Sequence, residues 1–232
     1  MKRIATSLLL TVLLFFASCG TLKNAFSAQD AEGAIRELLS FGTQHGGDLL
    51  SKKGAFSKET LMSTLLPEEL GKVLNTLETL GLSKEVNKFS TTLSTCAEQT
   101  AEKSVPIFLM GIKKMNISDA FNIVKNGGTA CTDYLRKSIG DTLRKAIAPT
   151  MSNALNEYKV AEQWNTLTEP AKLFAGNKLN LDLGNLMSGL VANLMFKKIE
   201  EKEMEIRTRA EARKTVLLQK VFGQVANKLM KR

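Results

Sequence analysis

Val105 to Lys137 reads VPIFLMGIKKMNISDAFNIVKNGGTACTDYLRK. An apolar segment carrying Pro106 leads into a short helix, a double glycine and a second helix. Val105, Phe108, Leu109 and Ile112 fall at i, i+3, i+4 and i+7, the spacing of one buried helical face. Proline lacks the amide hydrogen and crowds the preceding turn, so a kink or restart is expected at Pro106. Ser118 stands before Asp119 and the apolar Phe121 and Val124, which reads as an N-cap with an acid in the first turn. Gly127 supplies the left-handed residue that ends this helix, and Thr129 is placed to cap the next. Cys131, Leu135, Ile139, Leu143 and Ile147 recur every four residues and form its buried stripe. The punctuation is that of helices joined by tight corners. The expected fold is all-α, with the rest of the chain packed around this stretch.

Working outward, caps and periods place further helices. One starts near Gln29, runs to Leu39 or Gln44, and is ended by the Gly46-Gly47 loop. Another starts near Pro67 and stops at Gly81, with Glu68 and Lys72 as an i,i+4 pair. Ser83 is expected to cap a long helix whose inner face is Val86, Phe89, Leu93 and Cys96 or Ala97. Pro149 is expected to end a helix, with a shorter one over Met151 to Tyr158. Ala161 to Phe174 reads as helix, interrupted or restarted at Pro170. The period-two run Leu179 to Leu183 reads as an extended lead-in, and Asp182 as the cap of the next helix. From Leu183 that long helix presents Leu186, Met187, Leu190, Val191, Leu194 and Ile199. Its continuation, Lys197 to Arg213, is nearly all charge, with Glu203–Arg207 and Glu205–Arg209 at i,i+4. A last helix presents Leu218, Val221, Phe222, Val225 and Leu229. The expectation is about eight or more helices in one domain.

Four segments in order, VPIFLMGIKKMNISDAFNIV, NGGTACTDYLRKSI, LNLDLGNLMSGL and IEEKEMEIRTRAEARKTVLLQKVFG, resemble the bacterial family called domain of unknown function 4197. The resemblance covers most of the chain up to Gly223. It implies an all-helical domain, and it supplies no catalytic residue. The family pattern has small residues where this chain has Cys96 and Cys131.

Residues 1–18 read as a lipoprotein signal. Lys2 and Arg3 are the positive start, and the apolar run Leu8 to Ala17 is too short to span a bilayer. Phe16-Ala17-Ser18-Cys19 resembles a processing site, with Phe where Leu is usual. Lipidation is expected at Cys19, since two or three acyl chains anchor stably. The bland alternative is a secretory signal with a chance cysteine. Residues 19–27 form a short tether and residues 28–232 the helical domain. No Asp follows Cys19, so the expected place is the periplasmic face of the outer membrane. Formal net charge is +9. Without Lys2 and Arg3 it is +7, with acids and bases mixed rather than clustered. A solvated basic surface is the expected reading, and no nucleic acid partner.

Chemistry is sparse. His45 is the one histidine, expected in a loop, so histidine-based triads and multi-histidine metal sites are hard to build. No calcium-loop pattern occurs, and neither metal nor cofactor is expected. The weak candidate polar site is Gly127, Gly128 and Thr129 with Asp133, Tyr134 and Arg136. Free amides at the glycine corner could hold an anion, but a tight helix–helix corner is the ordinary reading. Asp133 and Arg136 read first as an ion pair, and Glu200 to Arg213 as a solvated face. The methionines read as core filler, or as the lining of an acyl-chain cavity.

An enzyme is not expected. The expectation is a binding or scaffold role toward an envelope protein, with a carrier of a hydrophobic ligand such as a lipid as the competing class. Cys96 and Cys131 both point inward on helices joined by the central stretch. In an oxidising compartment they are expected either to form a disulfide or to be two small buried hydrophobes.

Overall fold

The computed structural model describes residues 26–57, 60, 68–169 and 182–229. The signal and Cys19, Pro67, and the run from Pro170 to Leu181 lie outside the described residues. Those described form α1 (Ala28–Leu50), α2 (Glu68–Thr79), α3 (Ser83–Lys114), α4 (Ala120–Lys125), α5 (Ala130–Glu157), α6 (Val160–Thr168), α7 (Leu183–Thr208) and α8 (Val216–Leu229). A 3-10 turn covers Ala210–Ala212, and no strand occurs among the described residues.

The four long helices close a ring. α1 packs on α3, α3 on α5, α5 on α7, and α7 back on α1, while contact across the diagonals is slighter. The core lies inside that ring. Ile35, Leu38, Leu93, Phe108, Leu135, Ile147, Met187, Met195 and Ile199 are all buried there. The Phe108 ring meets the Phe196 ring edge-on, with centroids 5.3 Å apart. The buried methionines are therefore core filler, whereas Met110 is exposed. The stretch from Val105 to Lys137 is the end of α3, all of α4 and the start of α5. It joins two ring helices through α4 and gives Phe108, Ile112 and Leu135 to the core they share with α1 and α7.

Gly46 and Gly47 do not end α1; the helix runs through them to Leu50. Glycine is a poor helix former because of backbone entropy, but here it permits close approach. A Cβ on Gly47 would lie 2.2 Å from Cγ2 of Val105 on α3, and one on Gly42 would lie 3.0 Å from the Ile199 backbone on α7. The two glycine faces let α1 sit tightly against both ring neighbours. His45 is accordingly a half-buried helical residue rather than a loop residue.

The prolines break neither long helix. α3 continues through Pro106 and α5 through Pro149, so Met151 to Tyr158 is the last part of α5. An internal proline costs about 3 kcal/mol, largely through a lost hydrogen bond and a displaced carbonyl. Both prolines are exposed, as are Glu102 and Lys145, whose carbonyls lose their partners. Those residues lie on the solvent side of their helices, where an unpaired carbonyl costs little, and the buried faces hold each helix together.

Several caps differ from expectation. Asp119, not Ser118, precedes α4; Leu82, not Ser83, precedes α3; and neither side chain caps a backbone amide of its helix. Asp182 does cap α7, its Oδ1 accepting from the Asn185 amide at 2.9 Å. α6 ends at Thr168, and the expected continuation to Phe174 falls outside the described residues. The Glu68 side chain also lies outside them.

Candidate functional site along the α5–α7 seam

The α4–α5 corner turns on Gly127 and Gly128, with φ of +71° and +53°, values that L side chains rarely adopt. The turn aims the last carbonyls of α4 and the first amides of α5 at the same point. Each is a helix end with unsatisfied groups and a partial charge. The side chains that meet them come from α7. Glu203 accepts from the Cys131 amide at 2.9 Å, from the Thr132 amide at 2.8 Å and from Thr132 Oγ1 at 2.7 Å. Arg207, one turn on, donates through Nε to Glu203 at 2.9 Å. Its two terminal nitrogens donate to the Val124 and Ile123 carbonyls at 2.9 and 3.2 Å. The guanidinium lies 5.0 Å from the Phe222 ring centre, a cation–π arrangement.

This overturns the reading of Glu200 to Arg213 as a solvated face. The Glu203 side chain is 0 % exposed and that of Arg207 8 %. Arg213 is buried as well and donates to the Ile206 and Arg207 carbonyls at 2.9 and 2.8 Å, closing the end of α7. Only the outer members, Glu201, Arg209 and Glu211 among them, face solvent. The expected Glu205–Arg209 pair is not formed as a contact. Glu205 takes Lys202 at 2.7 Å, which lowers its carboxyl below the usual range, with Arg209 adding only a longer-range effect. The missed signal was in the pattern. Met195, Ile199, Glu203 and Ile206 continue one helical stripe, so Glu203 holds a core position.

The six candidate polar residues do not converge. The anion at the glycine corner is the chain's own Glu203 carboxylate. Thr129 Oγ1 donates to Asp133 at 2.9 Å on the surface rather than capping α5. The Tyr134 hydroxyl donates to the Asn116 carbonyl at 2.8 Å, tying α5 to the α3–α4 connection. Arg136 pairs with Glu200 of α7, not with Asp133, and lies 4.5 Å from the Phe196 ring centre.

Beyond Arg136 the seam opens. Between α5 and α7 lies an open groove of about 420 Å³, lined in part by Arg136, Gly140, Arg144, Ala192, Asn193 and Phe196. Arg144 is held by Asp141 at 2.8 Å. Phe196 and Ala192, both almost fully buried, lie beneath the groove, and Arg136, Lys137 and Arg144 stand on its rim beside Asp141.

The expected disulfide is absent; both thiols are free and buried. Cys96 Sγ lies 3.6 Å from the Ala154 carbonyl near the end of α5. Cys131 is at the start of the same helix, roughly 35 Å away at about 1.5 Å of rise per residue. A disulfide needs Cα atoms within about 7 Å. Burial pushes the Cys96 thiol up to about 12, with Glu157 adding. Burial and then Glu203 hold the Cys131 thiol well above its ordinary value, with Arg207, 3.2 Å from its sulfur, opposing. Neither is a ready thiolate.

No helix among the described residues is long and apolar enough to cross a membrane. No curated protein and no solved structure matches the chain. A family model does match, over residues 25–223, and with that coverage the chain belongs to the family described as Protein of unknown function (DUF4197).

Proposed function

We propose that this protein is a lipid-anchored helical domain of the bacterial envelope, held at the periplasmic face of the outer membrane, and that it works by binding a partner. The anchor rests on the apolar run that stops at Ala17-Ser18-Cys19. The observation that carries the binding reading is the use made of the buried charges. Glu203, Arg207 and Arg213 are engaged with main-chain groups at helix ends. A general acid or base needs a titratable group within reach of a ligand, and these are spent on structure. The surface between α5 and α7 instead offers a groove with Arg136 and Arg144 on its rim and Phe196 in its floor. Aromatic and arginine side chains are the residues on which protein interfaces most often depend.

The anchor is tested by Cys19→Ala, which is expected to abolish incorporation of labelled fatty acid; undiminished label would overturn it. The binding reading is tested by a photo-crosslinking residue at exposed Asn193 in the groove, used in living cells. One discrete protein adduct is expected. A lipid adduct without a protein would select the carrier reading. No adduct beyond that from a control at exposed Glu211 would overturn the groove as the binding face.

A further inference from the structure

We infer that the stacked pair Phe26–Phe121, with Lys125, is the face that rests on the lipid bilayer. The inference deepens the anchored reading and depends on it. The described chain begins at Phe26, one residue before Ser27 caps α1. Six residues lie between Cys19 and Phe26 in the sequence, and the seven residue steps reach at most about 25 Å. A lipid on Cys19 therefore keeps Phe26 close to the headgroups whatever path the tether takes.

The surroundings of Phe26 suit that place. Its ring stacks on Phe121 of α4, with centroids 5.3 Å apart and planes at 26°. Phe121 is one of the few large apolar side chains left open, at 38 % exposure. Lys125 is one turn further on α4, and its Nζ lies 5.7 Å from the Phe121 ring centre. An exposed aromatic beside a lysine is the composition of a membrane-interface contact: the ring enters the acyl boundary and the ammonium stays with the phosphates. Asp119, at the start of α4, is occupied by the Asn122 amide group at 2.8 Å. The +7 balance of the chain beyond its signal adds a general attraction to an anionic surface. The α5–α7 groove is left free for the partner proposed above.

The test uses the full lipidated protein in vesicles of phosphatidylethanolamine and phosphatidylglycerol. An environment-sensitive fluorophore is placed at exposed Asn122 (N122C) or at exposed Lys145 on α5 (K145C), the buried native thiols staying unlabelled. The expected result is that spin-labelled lipid quenches most of the emission at 122 and little at 145. Phe121→Ala, on the surface and so compatible with folding, is expected to abolish the quenching at 122 while the protein still floats with vesicles. Equal quenching at the two positions, or none at 122 in protein that floats, would overturn the docking face and leave the anchor standing. Protein that does not float would overturn both.

Discussion

Two helix-end junctions in this molecule are each closed by an i,i+4 Glu–Arg pair, and the pairs differ in burial and in how many helix ends they close. At the first, Glu32 and Arg36 form an i,i+4 pair on α1. Arg36 reaches the Ile112 carbonyl and, at 3.2 Å, the Lys113 carbonyl at the end of α3, and at 2.6 Å that of Met115 just beyond it. At the second, Glu203 and Arg207 form an i,i+4 pair on α7 and close α4 and α5 together. The first pair keeps 27 % and 42 % of its arginine and glutamate side chains in water, the second 8 % and 0 %. Burial changes what the pair means. An exposed pair gains little net Coulomb energy and is screened by salt. A buried pair has already lost its hydration, so removing either partner strands the other. The junction at the glycine corner is therefore the one on which the fold depends.

The largest expected effect lies at that junction. Glu203→Ala or Arg207→Ala should each destabilise by about 3–5 kcal/mol, because an uncompensated charge is left inside. Urea unfolding midpoints measure this. If either loss is no greater than that of Arg36→Ala, the contrast between the junctions is wrong. The double variant Glu203→Leu/Arg207→Met sharpens the point. Replacing a buried pair by apolar groups is often neutral. Here it should still cost about 1–3 kcal/mol, since the Cys131 and Thr132 amides and the α4 carbonyls lose their partners. A double variant as stable as the parent would mean that the pair neutralises itself and caps nothing.

Arg36→Ala comes next, at about 1–2 kcal/mol, the range for charge-assisted hydrogen bonds discounted for partial exposure. Its loss should shrink in high salt, while that of Arg207→Ala should not.

The same two junctions mark how much of the fold is legible in the sequence. Helical periodicity correctly named the inner faces of α3, α5 and α7, because burial of a stripe leaves a period in the residues that make it. The positive φ at Gly127 was also legible, since the break lay between two such stripes. The ends of helices were legible only where a cap or a left-handed glycine marks them, as at Asp182 and Gly81. Pro106, Pro149 and Gly46-Gly47 carry strong local signals to stop, and packing against ring neighbours outweighed each of them. Local preferences of about one to three kcal/mol lose to a buried face several turns long. The fate of a charge was the hardest thing to read. Glu32–Arg36 and Glu203–Arg207 have identical spacing, and only the core residues beside the second reveal that it turns inward. The disulfide expectation failed for a related reason. Inward orientation of Cys96 and Cys131 was right, but height along α5 could not be read from it.

The cysteines give the next smaller effect and compare the buried junction with the core at large. Both thiols have raised values in the folded protein, Cys96 to about 12 and Cys131 well above ordinary. Unfolded thiols ionise near about 8.5. Stability from the neutral buried thiols is therefore fully present below that value and is lost as pH rises above it toward the folded values. Unfolding midpoints should fall above about pH 9, and less steeply in Cys131→Ala. A thiol reagent at about pH 8 should find both cysteines only after denaturation. Reaction of Cys131 in the native state would mean that the Glu203–Arg207 junction opens to solvent.

The smallest effect belongs to the start of α1, where a third acid–base pair, Asp30 with Lys220, lies half-buried at the surface. Ser27 and Asp30 cap each other's amides at 2.7 and 3.0 Å, and Lys220 of α8 lies 2.7 Å from Asp30. The Lys220 contact first, and then the Ser27 amide, lower the Asp30 carboxyl to about 2. A depressed carboxylate stabilises above its unfolded value, near about 3.9, and that contribution is lost as pH falls toward about 2. Asp30→Asn should thus flatten the acid limb of a stability–pH curve while leaving the limb above about pH 9 untouched, since the thiols control the latter. Lys220→Ala should reproduce part of the change, and salt should weaken it further, because solvent screens this pair. Acid limbs that coincide for Asp30→Asn and parent would show that the capping box is frayed in solution. The capping box would then add nothing to the contrast between the buried Glu203–Arg207 pair and the partly exposed pairs on α1.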